Sequence, residues 1–184
     1  IRQSLMRTAC GHGLMILVMN ATPLAMQELG MSLSHSTYVI QWHVLGMFAP
    51  SLLAGPAIDR LGASRVAWLG TALLVVSAIL ALYQQTALFF LMSSALLGIG
   101  WNFMLLAGTT LLSQAHGADE KAAAQPLMEW CNNGMAALMS LACGVLVQTL
   151  GWRAINAFML AILMALMLWQ WVQHRSRTAH KNNA

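Results

Sequence analysis

The feature that most limits what this chain can become is the length of its apolar runs. Six of them, at about 8–26, 37–58, 66–83, 87–112, 126–150 and 154–172, are close to the roughly 20 helical residues needed to cross a hydrocarbon core. No water is available inside lipid to pair with backbone N–H and C=O groups, so only helices and closed barrels span it. Runs of this length form helices. The expected fold is an all-α membrane protein with six transmembrane helices. Charge content points the same way: 8% of residues are charged and 59% hydrophobic, with a mean hydropathy of +0.66. A soluble domain carries about 25% charged residues, so this chain has too few to cover a water-facing surface.

The 9 lysines and arginines are unevenly placed. With the first residues in the cytoplasm, Arg2, Arg7, Arg60, Arg65, Lys121, Arg175, Arg177 and Lys181 all fall on the cytoplasmic side, and Arg153 alone falls outside. This positive-inside bias places both termini in the cytoplasm, and a bacterial inner membrane is the expected location. The basic pI does not indicate a nucleic-acid partner, because the charges are spread over short loops. The first run is too long for a cleavable signal, and further spans follow it at once. Cys10, Cys131 and Cys143 lie within spans, without the paired spacing of a zinc site or disulfide frame. They read as small packing residues, and neither a metal nor a cofactor is expected.

Part of the chain is written twice. Setting Trp42 on Trp130 aligns Gly46 with Gly134, Met47 with Met135, Ala49 with Ala137, Leu53 with Leu141 and Ala54 with Ala142. After a one-residue slip, Leu61-Gly62 meets Leu150-Gly151 and Arg65 meets Arg153. Gly11-His12-Gly13 is echoed more faintly by Gly98-Ile99-Gly100. Spans one to three (about 1–83) therefore correspond to spans four to six (about 84–173), followed by a tail at 174–184. Three is odd, so the second copy enters the membrane the other way round. Inverted three-helix repeats are found in secondary transporters, whose sites lie near the midplane between repeats.

Polar residues sort the helices. Gln125, Glu129, Asn132 and Asn133 share one face of the fifth span at i, i+4, i+7 and i+8. The fourth span carries Ser94, Asn102, Thr109 and Ser113, the first His12 and Asn20, and the second Tyr38, Gln41, Trp42 and His43. Spans three and six are nearly apolar. Helices with a polar stripe face a cavity or another helix, and those apolar all round face lipid. Trp42, Trp101, Asn102, Asn132 and Asn133 are candidate solute contacts. His43 and Glu129 are candidate protonation sites, His43 because imidazole titrates near neutrality. Each has a plainer reading: the asparagines as interhelical hydrogen-bonding groups, Glu129 as a charge near the positive end of its helix, His43 as a buried structural histidine. With no H-E-x-x-H, no G-x-S-x-G and no paired Asp or His set, an enzyme is not expected.

Between spans two and three the chain reads Gly55-Pro56-Ala57-Ile58-Asp59-Arg60-Leu61-Gly62-Ala63-Ser64-Arg65. This resembles the cytoplasmic G-x-x-x-D-R-x-G-R-R signature of the major facilitator superfamily, with Ala63 and Ser64 where two basic residues belong and Arg65 one place late. Such a weakened copy resembles the second six-helix half of a facilitator more than the first. Gly151-Trp152-Arg153 is similar to the family's short outer turn. The resemblance covers the whole chain, and with Ile1 in place of a start methionine it implies helices 7–12 of a twelve-helix transporter. It further implies that Gly55, Asp59, Arg60, Gly62 and Arg65 form a gating loop at the cytoplasmic side. The function implied is movement of a small solute by alternating access, proton-coupled, with efflux of a drug or metabolite favoured. The partners would be the lipid bilayer, a small-molecule solute and the other six-helix half, as missing chain or a second copy. The alternative is a non-transporting membrane sensor or assembly scaffold that keeps the fold.

Overall fold

The computed structural model describes the backbone of residues 2–114 and 118–182, and side chains within 5–114, 124–169 and 171–172, that of Arg7 excepted. The cytoplasmic placement of Arg2, Arg7, Lys121, Arg175, Arg177 and Lys181, and the side chains of the expected tail at 174–184, lie outside the described residues. The elements are all helical: α1 (Arg2–Glu28), α2 (Leu33–Phe48), α3 (Ser51–Leu61), α4 (Ala63–Tyr83), α5 (Ala87–Gln114) and α6 (Ala118–Asn182). Among the described residues, four stretches are long and apolar enough to cross a membrane: Thr8–Glu28, Ala63–Tyr83, Ala87–Gln114 and Ala124–Trp169. The chain is an all-α membrane protein.

Three of the apolar runs take forms that their length alone does not reveal. The second run, expected to be one helix, is α2 followed by α3, broken at Ala49 and Pro50. Proline lacks the N–H that would continue the hydrogen-bond ladder, yet both residues keep right-handed helical angles, and Leu53 and Ala54 donate to the Pro50 carbonyl at 2.9 Å. The fifth and sixth runs both lie in α6, interrupted at Gly151 with φ 75° and ψ 168°. That combination is open essentially to glycine alone. Gly62, its counterpart in the repeat, joins α3 to α4 with nearly the same angles, φ 84° and ψ 145°.

Contacts along the helices show that α6 folds back at Gly151. Leu5, Leu112 and Met128 belong to one apolar cluster at one end of the bundle. At the other end the Trp152 indole packs on Phe90, with ring centres 5.0 Å apart, and donates to the Ala81 carbonyl. Trp171 then lines a groove with Arg65 and Trp68, at the start of α4. The central element is α5, which packs against α1, α2 and α4, while α1 lies along α6.

Lipid is as apolar as leucine, so helices in a membrane are held by close packing and interhelical hydrogen bonds rather than by a hydrophobic drive. Both occur here. A Cβ on Gly98 would lie 2.5 Å from the His43 carbonyl oxygen, and one on Gly100 would lie 2.8 Å from that of Gly70. Glycine therefore lets α5 meet α2 on one side and α4 on the other at backbone contact. Ser77 Oγ donates to the Ser93 carbonyl at 2.7 Å and Cys143 lies over the Leu17 carbonyl, so the small polar residues of the spans serve these seams.

Candidate functional site

Most of the candidate residues fall into three groups. The first is a layer shared by α1, α5 and α6. The Trp101 indole N–H donates to His12 Nδ1 at 3.0 Å, with ring centres 5.4 Å apart and planes inclined by 54°. Trp101 is buried and His12 half-buried. Glu129, exposed on α6, faces His12 closely enough for their charges to interact. Asn132, one turn further along α6, is buried, and its Oδ1 finds no hydrogen-bond partner among the described residues. Asn133 and Trp130 are exposed on the same helix, Trp130 to 80%.

The second group closes the seam between α2 and α5. His43 is 1% exposed and its Nδ1 donates to the Ser94 carbonyl at 2.8 Å, leaving Nε2 buried without a partner. Asn102 lies at the break between α2 and α3. Its Nδ2 donates at 2.7 Å both to the Met47 carbonyl and to Ser51 Oγ, so it takes up a carbonyl from the last turn of α2. Trp42 is exposed on α2, in an edge-on arrangement with Tyr38 with ring centres 6.2 Å apart. The structure thus brings Trp101 and Glu129 together around His12 and places His43 and Asn102 in a packed seam, with Trp42 apart from both.

The third group surrounds the junction of α3 and α4, where the expected gating loop is helical on both sides of Gly62, with Gly55, Asp59 and Arg60 on α3 and Arg65 on α4. Gly55, Asp59, Arg60, Gly62 and Arg65 are all exposed. Arg60 and Arg65 flank a groove of about 590 Å³ completed by Gly62, Ser64, Trp68 and Trp171. On the opposite half of the bundle, Asn20 Nδ2 donates to Ser140 Oγ at 3.0 Å, beside a groove of about 350 Å³ between α1, α2 and α6.

His12 is the group that sequence reasoning did not single out as a site. Its signal was present in Gly11-His12-Gly13, a lone imidazole between two glycines in an apolar run. What no linear pattern states is that α5 and α6 bring Trp101 and Glu129 to it.

The fold is an all-helical membrane bundle with polar side chains buried between its helices and charged residues around the α3–α4 junction. The sequence matches the Major Facilitator Superfamily over residues 7–184, and the chain belongs to that family. It is similar to a riboflavin transporter of Brucella anthropi, with 36% identity over 159 residues, 86% of this chain and 40% of the relative. It is also similar to a methylenomycin A resistance protein of Bacillus subtilis, with 33% identity over 130 residues, 69% of this chain and 28% of the relative. The chain therefore spans well under half the length of these relatives. It is an integral membrane protein of a family of membrane transporters.

Proposed function

We propose that the chain forms one six-helix half, built from two inverted repeats, of a proton-coupled secondary transporter that moves a small organic solute by alternating access. Efflux is favoured over uptake, in a bacterial inner membrane with both ends of the chain in the cytoplasm. The observation that carries this reading is the polar layer between α1, α5 and α6. An imidazole and a buried indole are hydrogen-bonded within a membrane-spanning bundle, with an exposed carboxylate of α6 in electrostatic reach of the imidazole, and ionisable groups at such depth are costly and mark solute or proton paths. Glu129 is the proton-coupling carboxylate. Trp101, Asn132 and Asn133 contribute to the solute path, with Trp42 at its edge. Asn102 and His43 support it by holding α2 and α3 on α5.

The exposed apolar faces of α2, α3 and the first half of α6, including Phe48, Leu52, Leu53, Trp130, Leu138 and Leu141, are covered by the other six-helix half. The loop from Gly55 to Arg65 gates the cytoplasmic side as the halves rock. Riboflavin is the first solute to try, given the similarity to a riboflavin transporter. Inside-out vesicles containing the full-length transporter should accumulate radiolabelled riboflavin when a proton gradient is imposed, and a protonophore should abolish the accumulation. Uptake no faster than in vesicles without the protein would reject riboflavin as solute. Uptake indifferent to the protonophore would reject proton coupling.

A further inference from the structure

The indole N–H of Trp101 can only donate, so His12 Nδ1 must offer its lone pair to the 3.0 Å bond between them. The proton of the neutral ring is therefore on Nε2. A second proton can go only to Nδ1, the atom that holds Trp101. An imidazolium carries N–H on both nitrogens, so protonation would turn the bond into two N–H groups pointing at each other. Trp101 is 9% exposed, and a buried donor left without an acceptor is unfavourable.

What the protonated ring gains lies on a different helix. Among the described side chains, the charged group within electrostatic reach of His12 is Glu129 of α6. On the other elements packed against α1, α5 has no ionisable side chain, and α2 has His35, Tyr38 and His43. Of these, His35 is bonded to Ser32 and His43 to the Ser94 carbonyl. Cys10 on α1 and Cys131 on α6 are the neighbouring thiols in sequence. An unprotonated His12 therefore ties α1 to α5, and a protonated one is repelled there and drawn toward α6.

We propose that His12 is the proton-responsive switch of this chain, exchanging Trp101 on α5 for Glu129 on α6 when Nδ1 takes up a proton. The inference rests on the transport reading for its use: the exchange would change how α1 is seated between the two helices as a proton enters the path. His43 is a useful contrast. Its Nδ1 donates to a carbonyl, and a proton added at Nε2 leaves that bond intact.

The test is the indole ¹⁵N–¹H resonance of Trp101 in the full-length protein in lipid nanodiscs, assigned by its loss in Trp101→Phe. Histidine charge changes within the range from about pH 8 to about pH 5, and over it the wild-type signal should shift as the hydrogen bond is lost. In His12→Gln, where an amide oxygen can accept the same bond and does not titrate, the signal should stay in place. A wild-type signal at the same position at both ends of the range overturns the proposal, whether or not His12→Gln folds. So does a His12→Gln signal that shifts as far as the wild type. No solute is transported in this measurement, so failure of the transport reading would not be mistaken for failure of the switch.

Discussion

Replacing Gly98 with alanine adds one methyl carbon where α5 faces the backbone of α2. That carbon would lie 2.5 Å from the His43 carbonyl oxygen, 2.9 Å from the Met47 nitrogen and 3.0 Å from the Gly46 carbonyl carbon. Ordinary contact begins at 3.4 Å, and the obstructing atoms are backbone, so the helices must part by up to 0.9 Å, the difference between 3.4 and 2.5 Å. The same movement stretches the bonds from His43 to Ser94 and from Asn102 to Met47, now 2.8 and 2.7 Å, toward or beyond hydrogen-bonding range. Overpacking of this kind costs about 1–3 kcal/mol, and each weakened bond about 1 kcal/mol. Alanine returns up to about 1 kcal/mol through its better helix propensity, leaving a net loss of about 2–4 kcal/mol. At roughly 2–4 °C per kcal/mol for a chain of this size, thermal unfolding in detergent should fall by about 4–16 °C. Gly134→Ala is the matched control, because nothing lies within 4 Å of its added Cβ, and it should leave the midpoint unchanged or slightly raised. A Gly98→Ala protein that melts with the wild type, or a Gly134→Ala protein that loses as much, would refute the packing argument.

Three further outcomes follow from the geometry. Gly62→Ala and Gly151→Ala should each lose about 1–3 kcal/mol through backbone strain although no atom lies within 4 Å of either new Cβ, and thermal unfolding checks this. Asn102→Leu should cost about 1–3 kcal/mol by leaving the partly buried Met47 carbonyl without its side-chain donor; hydrogen exchange should rise around the α2–α3 break, where Asn102 now binds that carbonyl. Trp152→Phe keeps the ring against Phe90 but removes the bond to the Ala81 carbonyl, and should lower stability by about 1 kcal/mol.

Much of the fold was legible because a membrane limits the choices. Run length and the scarcity of charge were enough for an all-helical membrane protein, and the motif from Gly55 to Arg65, with the six expected spans, was enough for the family. Gly62 and Gly151 were legible as a pair from the repeated Leu-Gly, and both adopt angles that other residues avoid. The break between α2 and α3 was less so: Pro50 signals a bend, and whether the run continues as one rod depends on Asn102, brought in from another helix. The polar groups were the hardest to assign. Asn102 and His43 share a period with cavity residues, yet close packing at Gly46 and Gly98 seals them in a seam. His12 and Glu129 are far apart in sequence, and their meeting depends on the lateral packing of α1 on α6, which periodicity does not encode.

The central claim is that the polar face of α6 lines a path while the outer faces of α4 and the end of α6 meet lipid. Substituted-cysteine labelling tests it most directly, in the full-length transporter with Cys10, Cys131 and Cys143 replaced. Asn133, Val76 and Met164 are all exposed in this chain, so exposure alone does not distinguish them. The account predicts that a cysteine replacing Asn133 reacts with a membrane-impermeant maleimide in intact membranes, and that cysteines replacing Val76 and Met164 do not. Equal reactivity at the three positions, or reaction at Val76 and Met164 with none at Asn133, would contradict it.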